Sequence, residues 1–154
     1  MSDLEKIISE LEGHIPVQDV LNTAVSKASV GWHIEHSLIT ISLILSAVKA
    51  SNPKDYKWEF NFRRTLVYAI NKIPRGRAQA PGVVQPKPGT NIDTLKKQLR
   101  FANGGVQAIS LLDKNNFFVH PYFGKLNVKQ TIKFLKIHSR HHIHIINDIL
   151  KAQN

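Results

Sequence analysis

The sequence contains no cysteine. This absence excludes disulfide bonds, thiolate metal ligands and a cysteine nucleophile, so any metal site has to use histidine, carboxylate or backbone ligands. Long apolar runs are also missing: the longest candidate, residues 39–48, is broken by threonine and serine, whereas a membrane-spanning helix needs about 20 consecutive apolar residues. Residues 1–5 are acidic and lack the basic and apolar regions of a signal peptide. We therefore expect a cytoplasmic protein that does not associate with membranes.

Acidic residues are scarce: 11 aspartates and glutamates face 21 lysines and arginines, for a net charge of +10. An excess of this size suggests nucleic-acid binding as one possible function. The densest basic stripe lies on the last predicted helix, opposite His138, and has no interleaved aromatic residues that could stack on bases. It consists of Lys129, Lys133, Lys136 and Arg140. We therefore expect a solvated helix face there, and no nucleic-acid partner.

Strand signals are weak, whereas apolar residues recur at helical spacings of three and four along most of the chain. Serine, aspartate or asparagine stands at the start of each such segment, where it can cap a helix. Residues 16–28 fit either a short helix or an irregular link, and residues 115–126 are predicted to form a loop. The predicted helices, capping residues included, cover residues 2–13, 29–50, 55–72, 91–109 and 127–151.

With 154 residues and 42% hydrophobic content, the chain is long enough for one globular domain, residues 1–154, with its own core. We expect an all-α fold, a four-helix bundle with an extra N-terminal helix. Gly104-Gly105 in the fourth predicted helix marks either a kink or a close approach of two helices.

Residues 74–90 contain four prolines and three glycines, which predicts a long loop between two helices. Long ordered loops are often functional. Arg75 and Arg77 in this loop are candidates to bind an anionic substrate through paired hydrogen bonds, and the alternative is an ordinary solvated loop.

Histidine is concentrated near the C-terminus, with four residues between positions 138 and 144. His138 and His142 are four residues apart, so their side chains lie one above the other on a helix. At 100° per residue, roughly the turn of an α-helix, both lie in the middle of the apolar stripe. His141 lies near the edge of that stripe, and His144 is directed toward solvent.

The second predicted helix repeats this pattern, since His36 is central to an apolar stripe and His33 lies at its edge. The stripe comprises Trp32, Ile39, Thr40, Leu43, Ile44 and Ala47. Burying an imidazole without a partner is unfavourable, so each histidine either bonds a neighbouring hydroxyl or carbonyl or joins the others at a metal. Three converging imidazoles match a zinc-type ligand set with one open position. The Glu-x-x-His motif of di-iron bundles does not occur.

Four segments of the chain resemble those of a known family. The segment Val30-Gly-Trp-His-Ile-Glu-His36 together with His138-x-x-x-His142 resembles the DinB-like superfamily of metal-binding four-helix bundles. His120-Pro-Tyr-Phe-Gly124 and the Pro-Arg-Gly-Arg-Ala-Gln-Ala-Pro segment at 74–81 are similar to one branch of it with a histidine-rich last helix. The resemblance covers essentially the whole chain.

The resemblance implies specific ligands and a chemistry. The metal ligands of the superfamily correspond here to His36, His138 and His142, and the metal is a divalent ion, most often zinc or nickel. Relatives tend to form homodimers, and several are transferases or isomerases that use low-molecular-weight thiols. The leading interpretation is a metal-dependent enzyme of this type, acting on a small thiol and an electrophile.

Other roles in that interpretation are less defined. His33, His120 or His141 could move the proton, or each could be an ordinary surface or supporting histidine. Glu35 and Asp148 lie too far round their helices to be ligands.

The alternative function is a non-catalytic, metal-stabilised bundle that acts as a dimeric binding or stress-related protein. The second helix carries another apolar stripe opposite His36, which either the N-terminal helix or a second subunit could cover. This stripe consists of Ile34, Leu38, Ile41 and Leu45.

Overall fold

The computed structural model of the protein describes residues 1–76 and 80–152, and within them the chain is mostly helical with one small sheet. The helices are α1 (Asp3–Gly13), α2 (Val30–Ala50), α3 (Phe62–Ile70), α4 (Ile92–Ile109) and α5 (Val128–Lys151), and the strands are β1 (Phe117–His120) and β2 (Gly124–Asn127). Short 3₁₀ turns occupy Ile15–Val17, Pro53–Asp55 and Gly82–Val84. No helix in the described part is long and apolar enough to cross a membrane.

The predicted capping residues begin four of the five helices. Ser2 and Asn127 each form a complete capping box, in which the residue three positions on returns a hydrogen bond to the cap backbone. Ser29 accepts from the backbone N–H of Trp32, and Asn91 caps α4 in the same way. These bonds satisfy amides that have no partner inside the helix, so the helix starts could be predicted from sequence.

The bundle consists of α1, α2, α4 and α5. Helix α2 packs against α4 on one side and α5 on the other, and α1 lies across from α2 and contacts the same two helices. The apolar residues of α1 are fully buried in this core. The N-terminal helix is therefore an integral member of the bundle rather than an addition to it, and the peripheral helix is α3.

Helix α3 is shorter than the predicted segment at 55–72. After the 3₁₀ turn at Pro53–Asp55 the chain is irregular until Asn61, whose side chain accepts from the backbone N–H of Arg64 and begins the helix. Asn71 ends it in the left-handed region at φ 51°. The helix therefore starts at its polar cap, Asn61, whereas apolar periodicity alone predicted an earlier start.

A β-hairpin lies in the region predicted to be a loop at 115–126, so the all-α prediction was wrong there. In the antiparallel pair, Phe118 lies opposite Leu126 and both are buried. Arg64, itself buried, donates to the carbonyl of Phe123 at 3.2 Å and ties the turn to α3. Four-residue strands are too short for alternation to stand out in a sequence.

The core face of α2 also differs from the prediction. The stripe opposite His36, for which either the N-terminal helix or a second subunit was expected as a cover, is buried within the chain, against α4 and α1. Part of the stripe around His36 is instead exposed, at Leu43 and Ala47. Because one chain already covers the second stripe, it no longer argues for a dimer, and dimerisation stays a prediction.

One close approach of two helices and two ion pairs lie at specific points of the bundle. Helix α4 runs without interruption through Gly104-Gly105, and a Cβ atom at Gly105 would lie 3.0 Å from Leu45 Cδ1, so the pair marks a close approach of α2 and α4. Across the other seam, Lys136 of the basic stripe reaches Asp3 at 2.6 Å. Arg140 pairs with Glu10 in the same way, so α1 neutralises part of the basic stripe, while both paired cations remain partly exposed to solvent as predicted.

Candidate metal centre

The packing of α2 against α5 brings the predicted ligands together. His36 on α2 faces His138 and His142 on α5, and the three can each offer a ring nitrogen within 4.8 Å of the others. His36 and His142 are buried, and His138 is partly buried. The i, i+4 spacing supplies two ligands from one helix, and the helix crossing supplies the third.

The closest nitrogens have the spacing of two ligands on one metal. His36 Nε2 lies 3.3 Å from His138 Nε2. Two imidazoles bound to a tetrahedral zinc ion, each at about 2.0–2.1 Å, place their nitrogens roughly 3.3–3.4 Å apart. The donor set and the spacing therefore fit a divalent cation.

The tautomer of His36 follows from one hydrogen bond. Its Nδ1–H donates to the backbone carbonyl of Val84 at 2.8 Å, and a carbonyl can only accept. Nε2 therefore carries the lone pair that a metal would use. Trp32 stacks on the same ring, with centroids 4.9 Å apart and planes at 12°, and so restrains its orientation.

Burial keeps the ligand rings neutral. It lowers the pKa of His36, an effect that the bond to Val84 partly opposes. The pKa values of His138 and His142 lie well below the usual range, first because both are desolvated and then because other imidazoles surround them. A metal needs the neutral form, so burial prepares all three ligands.

One ring nitrogen has no partner. His138 Nδ1 is buried, and no group in the described part of the chain bonds it. Buried polar atoms are nearly always paired, so each unpaired one calls for an explanation. Because the nitrogen of this ring that faces His36 is Nε2, the unpaired Nδ1 is where His138 lacks the supporting partner that His36 has in Val84.

His33 belongs to the cluster but does not share the ligand position. Its Nδ1 lies 3.0 Å from His142 Nδ1, and its Nε2 lies 3.0 Å from the Ser26 hydroxyl. Burial, followed by the nearby His36, lowers the pKa of His33 to about 4. It is thus a neutral ring placed behind one ligand.

His120 lies outside the cluster, in the hairpin. Its Nδ1 accepts the backbone N–H groups of Tyr122 and Phe123, at 3.1 and 3.2 Å. The ring stacks on Phe123 with centroids 4.3 Å apart, and burial lowers its pKa to about 4. His120 therefore acts as the acceptor that closes the turn, a structural role that the motif did not suggest.

His141 and Arg75 lie at the rim of the centre. His141 is half-buried, with its ring edge-on to His142 at 5.1 Å, and burial followed by the Arg75 charge lowers its pKa. Arg75 pairs with Asp148 at 2.7 Å, so each of these two side chains already has a charged partner. Arg77 lies outside the described residues, so its predicted role stays a prediction.

The remaining carboxylate near the ligands is also engaged. Glu35 is buried and accepts from the hydroxyl of Thr90, which ties the end of the long loop to α2. His144 is exposed, as predicted. In the described part of the chain the three-histidine group is therefore not extended by a carboxylate ligand.

A surface groove of about 560 Å³ adjoins the centre through Trp32. Its other walls include Lys27 and residues 86–90 of the long loop. A second groove lies between α2 and α4 and is lined by none of the clustered histidines.

Three contributors to the centre were not identified from the sequence. Val84 acts through a backbone carbonyl, which no side-chain pattern can show. Ser26 lies in a segment that could not be assigned to a helix or a link. Trp32 was predicted only as a core residue of the stripe around His36. It stands four residues before His36, one helical turn away, and this spacing could have suggested that the two rings stack.

Comparison with known proteins adds no relative. No protein-family model, no curated protein and no solved structure matches this chain.

Proposed function

We propose that the protein is a divalent-metal-dependent enzyme of the DinB-like type in which His36, His138 and His142 hold zinc or nickel. The observation that carries the proposal is the set of three neutral imidazoles, two buried and one partly buried, with two Nε2 atoms at the 3.3 Å spacing of metal ligands. Three protein ligands leave a position for water or substrate, the arrangement typical of catalytic rather than structural zinc.

The proposed reaction is transfer of a small thiol to an electrophilic carbon. A bound divalent cation supplies Lewis acidity, which lowers the pKa of a coordinated thiol or water toward neutrality. The sulfur then forms the new bond to carbon while the leaving group departs with the electron pair of the broken bond. Both ring nitrogens of His33 have hydrogen-bond partners, and the accepting nitrogen of His120 is engaged by a backbone N–H group. His141 is therefore the candidate to accept the thiol proton.

Metal content is the first test of this proposal. The His138→Ala, His142→Ala double variant removes two of three ligands, so we expect about one metal ion per chain in the wild type and little in the variant. The measurement is elemental analysis of protein purified without a histidine tag. His144→Ala is the matched control, since it removes an exposed histidine from the same helix. Equal metal content in the double variant and the control would contradict the site.

Turnover separates this function from the alternative of a non-catalytic, metal-stabilised bundle. The observation that favours the alternative is that the nearby carboxylates Glu35 and Asp148 are already paired, so neither offers a general base. Wild-type protein is assayed with a panel of thiols and an alkyl halide or epoxide. The enzyme loses turnover on chelation while its circular dichroism is unchanged, whereas the bundle binds metal and shows no turnover at all.

A further inference from the structure

We infer that His33 and Ser26 form a positioning pair that holds His142 in the tautomer able to bind a metal. The inference rests on the proposed function, because it assigns a role toward the metal held by His36, His138 and His142. It concerns a residue that was considered above only as a proton carrier or a bystander.

The geometry requires an ordered chain of hydrogen bonds. His142 Nδ1 and His33 Nδ1 are 3.0 Å apart, so one nitrogen carries a proton and the other accepts it. On its far side, His33 Nε2 lies 3.0 Å from Ser26 Oγ. His33 is only 4% exposed, so water does not replace either partner.

Two proton arrangements satisfy these contacts. In the first, His142 Nδ1–H donates to His33 Nδ1, and His33 Nε2–H donates to Ser26 Oγ. In the second, the Ser26 hydroxyl donates to His33 Nε2, His33 Nδ1–H donates to His142 Nδ1, and the proton of His142 resides on Nε2. A neutral imidazole has one N–H, so only the first arrangement leaves a lone pair on His142 Nε2.

Ser26 is able to serve the first arrangement, because a hydroxyl oxygen has two lone pairs and can accept from His33 Nε2–H as well as from a backbone amide. Its Oγ already accepts the backbone N–H of Ala28 at 3.1 Å, which fixes the hydroxyl oxygen close to the ring. Trp32 lies edge-on to His33, with centroids 5.2 Å apart and planes at 84°, and restrains the ring. Ser26 and the His33 ring are thereby held in place before a metal binds.

The other ligands show what the pair contributes. His36 donates its Nδ1–H to Val84, whereas His138 Nδ1 has no partner. Metal-bound histidines almost always donate their second N–H to an acceptor, and loss of such an acceptor typically weakens metal binding about 10–100-fold. In the first arrangement, His33 accepts the Nδ1–H of His142 just as the Val84 carbonyl accepts the Nδ1–H of His36.

The test compares substitutions that separate the volume of the His33 ring from its acceptor. His33→Phe keeps a ring but has no acceptor, and His33→Asn keeps an acceptor oxygen near the position of Nδ1. We expect His33→Phe to weaken the Kd for zinc about 10–100-fold, and His33→Asn to restore most of the loss. Ser26→Ala is expected to weaken binding by a smaller factor, and Ser37→Ala, a buried neighbour whose hydroxyl bonds only the His33 backbone, to leave it unchanged.

The Kd is measured by competition with a chromophoric chelator, and the visible spectrum of the cobalt-substituted protein reports the ligand geometry. Tight binding by His33→Phe would overturn the inference. Equal weakening of zinc binding by His33→Phe and His33→Asn, with equal losses of Tm in the metal-free state, would also overturn it. That is the pattern expected of a purely structural residue. Should His33→Phe fail to fold, Ser26→Ala decides, and an unchanged Kd there would count against the pair.

The same experiment distinguishes this inference from the proposed function. If wild-type protein binds no zinc, the metal site itself fails. If wild-type protein binds zinc and the His33 variants bind it equally well, the metal site stands and the positioning pair is wrong.

Discussion

Each histidine buried between α2 and α5 occupies a position where an apolar side chain would pack without electrostatic cost. Burial lowers the pKa of His33, His36, His138 and His142, so the folded protein keeps all of them neutral near pH 7. Each ring then needs acceptors for its N–H group and a use for its lone pair. Val84 and His33 provide acceptors, and a metal would use the lone pairs.

At the same scale, His120, which lies outside the metal centre, contributes to the loss of folding stability at acid pH. Its pKa in the folded protein is about 4, below the ordinary 6.5, because the ring is buried. Below pH 6.5 the unfolded chain takes up a proton that the folded chain does not, so stability present at neutral pH is lost as the pH falls from about 6.5 to about 4.

His120→Asn tests this dependence, because asparagine keeps an acceptor oxygen for the turn but does not titrate. The fall in the free energy of unfolding between pH 7 and pH 4.5 should be about 2–3 kcal/mol smaller in the variant. Urea titrations at both pH values measure it, with each protein compared to itself so that lost ring packing cancels. An identical fall in both proteins would show that His120 is not desolvated.

At the scale of elements, the helix starts were predictable because a cap bonds amides within a few residues of itself. Ser29 and Asn127 are examples, and both begin long helices within one residue of the predicted position. The faces of α2 were not predictable in the same way. Helical periodicity showed two apolar stripes on α2, but only the positions of α1, α4 and α5 decide which stripe is covered.

The two adjacent glycines of α4 allow a matched test of how α2 and α4 pack. Nothing lies within 4 Å of a Cβ added at Gly104, whereas one at Gly105 would meet Leu45 at 3.0 Å. Gly104→Ala should therefore raise stability by about 0.5–1 kcal/mol through helix propensity. Gly105→Val should lower it by about 1–3 kcal/mol through overpacking. Urea unfolding of both variants measures the effects, and a tolerated valine would contradict the close approach.

For the molecule as a whole, a cation bound between α2 and α5 would join two helices that meet only in the folded state. Any ligand that binds only the folded chain stabilises it, by about 2.7 kcal/mol at a concentration 100 times the Kd. For a chain of this size, we expect zinc at that excess to raise the Tm by roughly 5–10 °C.

Calorimetry with and without a chelator measures this shift. The His138→Ala, His142→Ala variant should show no zinc-dependent rise, and His144→Ala should keep the full one. A similar rise in all three proteins would mean that zinc acts elsewhere on the surface.

Much of the candidate centre was accessible from the order of residues alone. The i, i+4 spacing of His138 and His142 puts two rings on one helical face, and the apolar neighbours of His36 predicted its burial. Both inferences use local geometry, because an α-helix has the same rotation per residue wherever it occurs. The capping residues were readable for the same reason.

The remaining features depend on segments that are distant in the sequence. The Val84 carbonyl on His36, the contact of His33 with His142, and the capture of Arg75 by Asp148 each join residues at least 48 positions apart. Their formation depends on how α2, α5 and the long loop pack, and packing reflects the summed burial of many side chains rather than any local pattern. The hairpin at β1 and β2 belongs here too, because Arg64 holds it from another element.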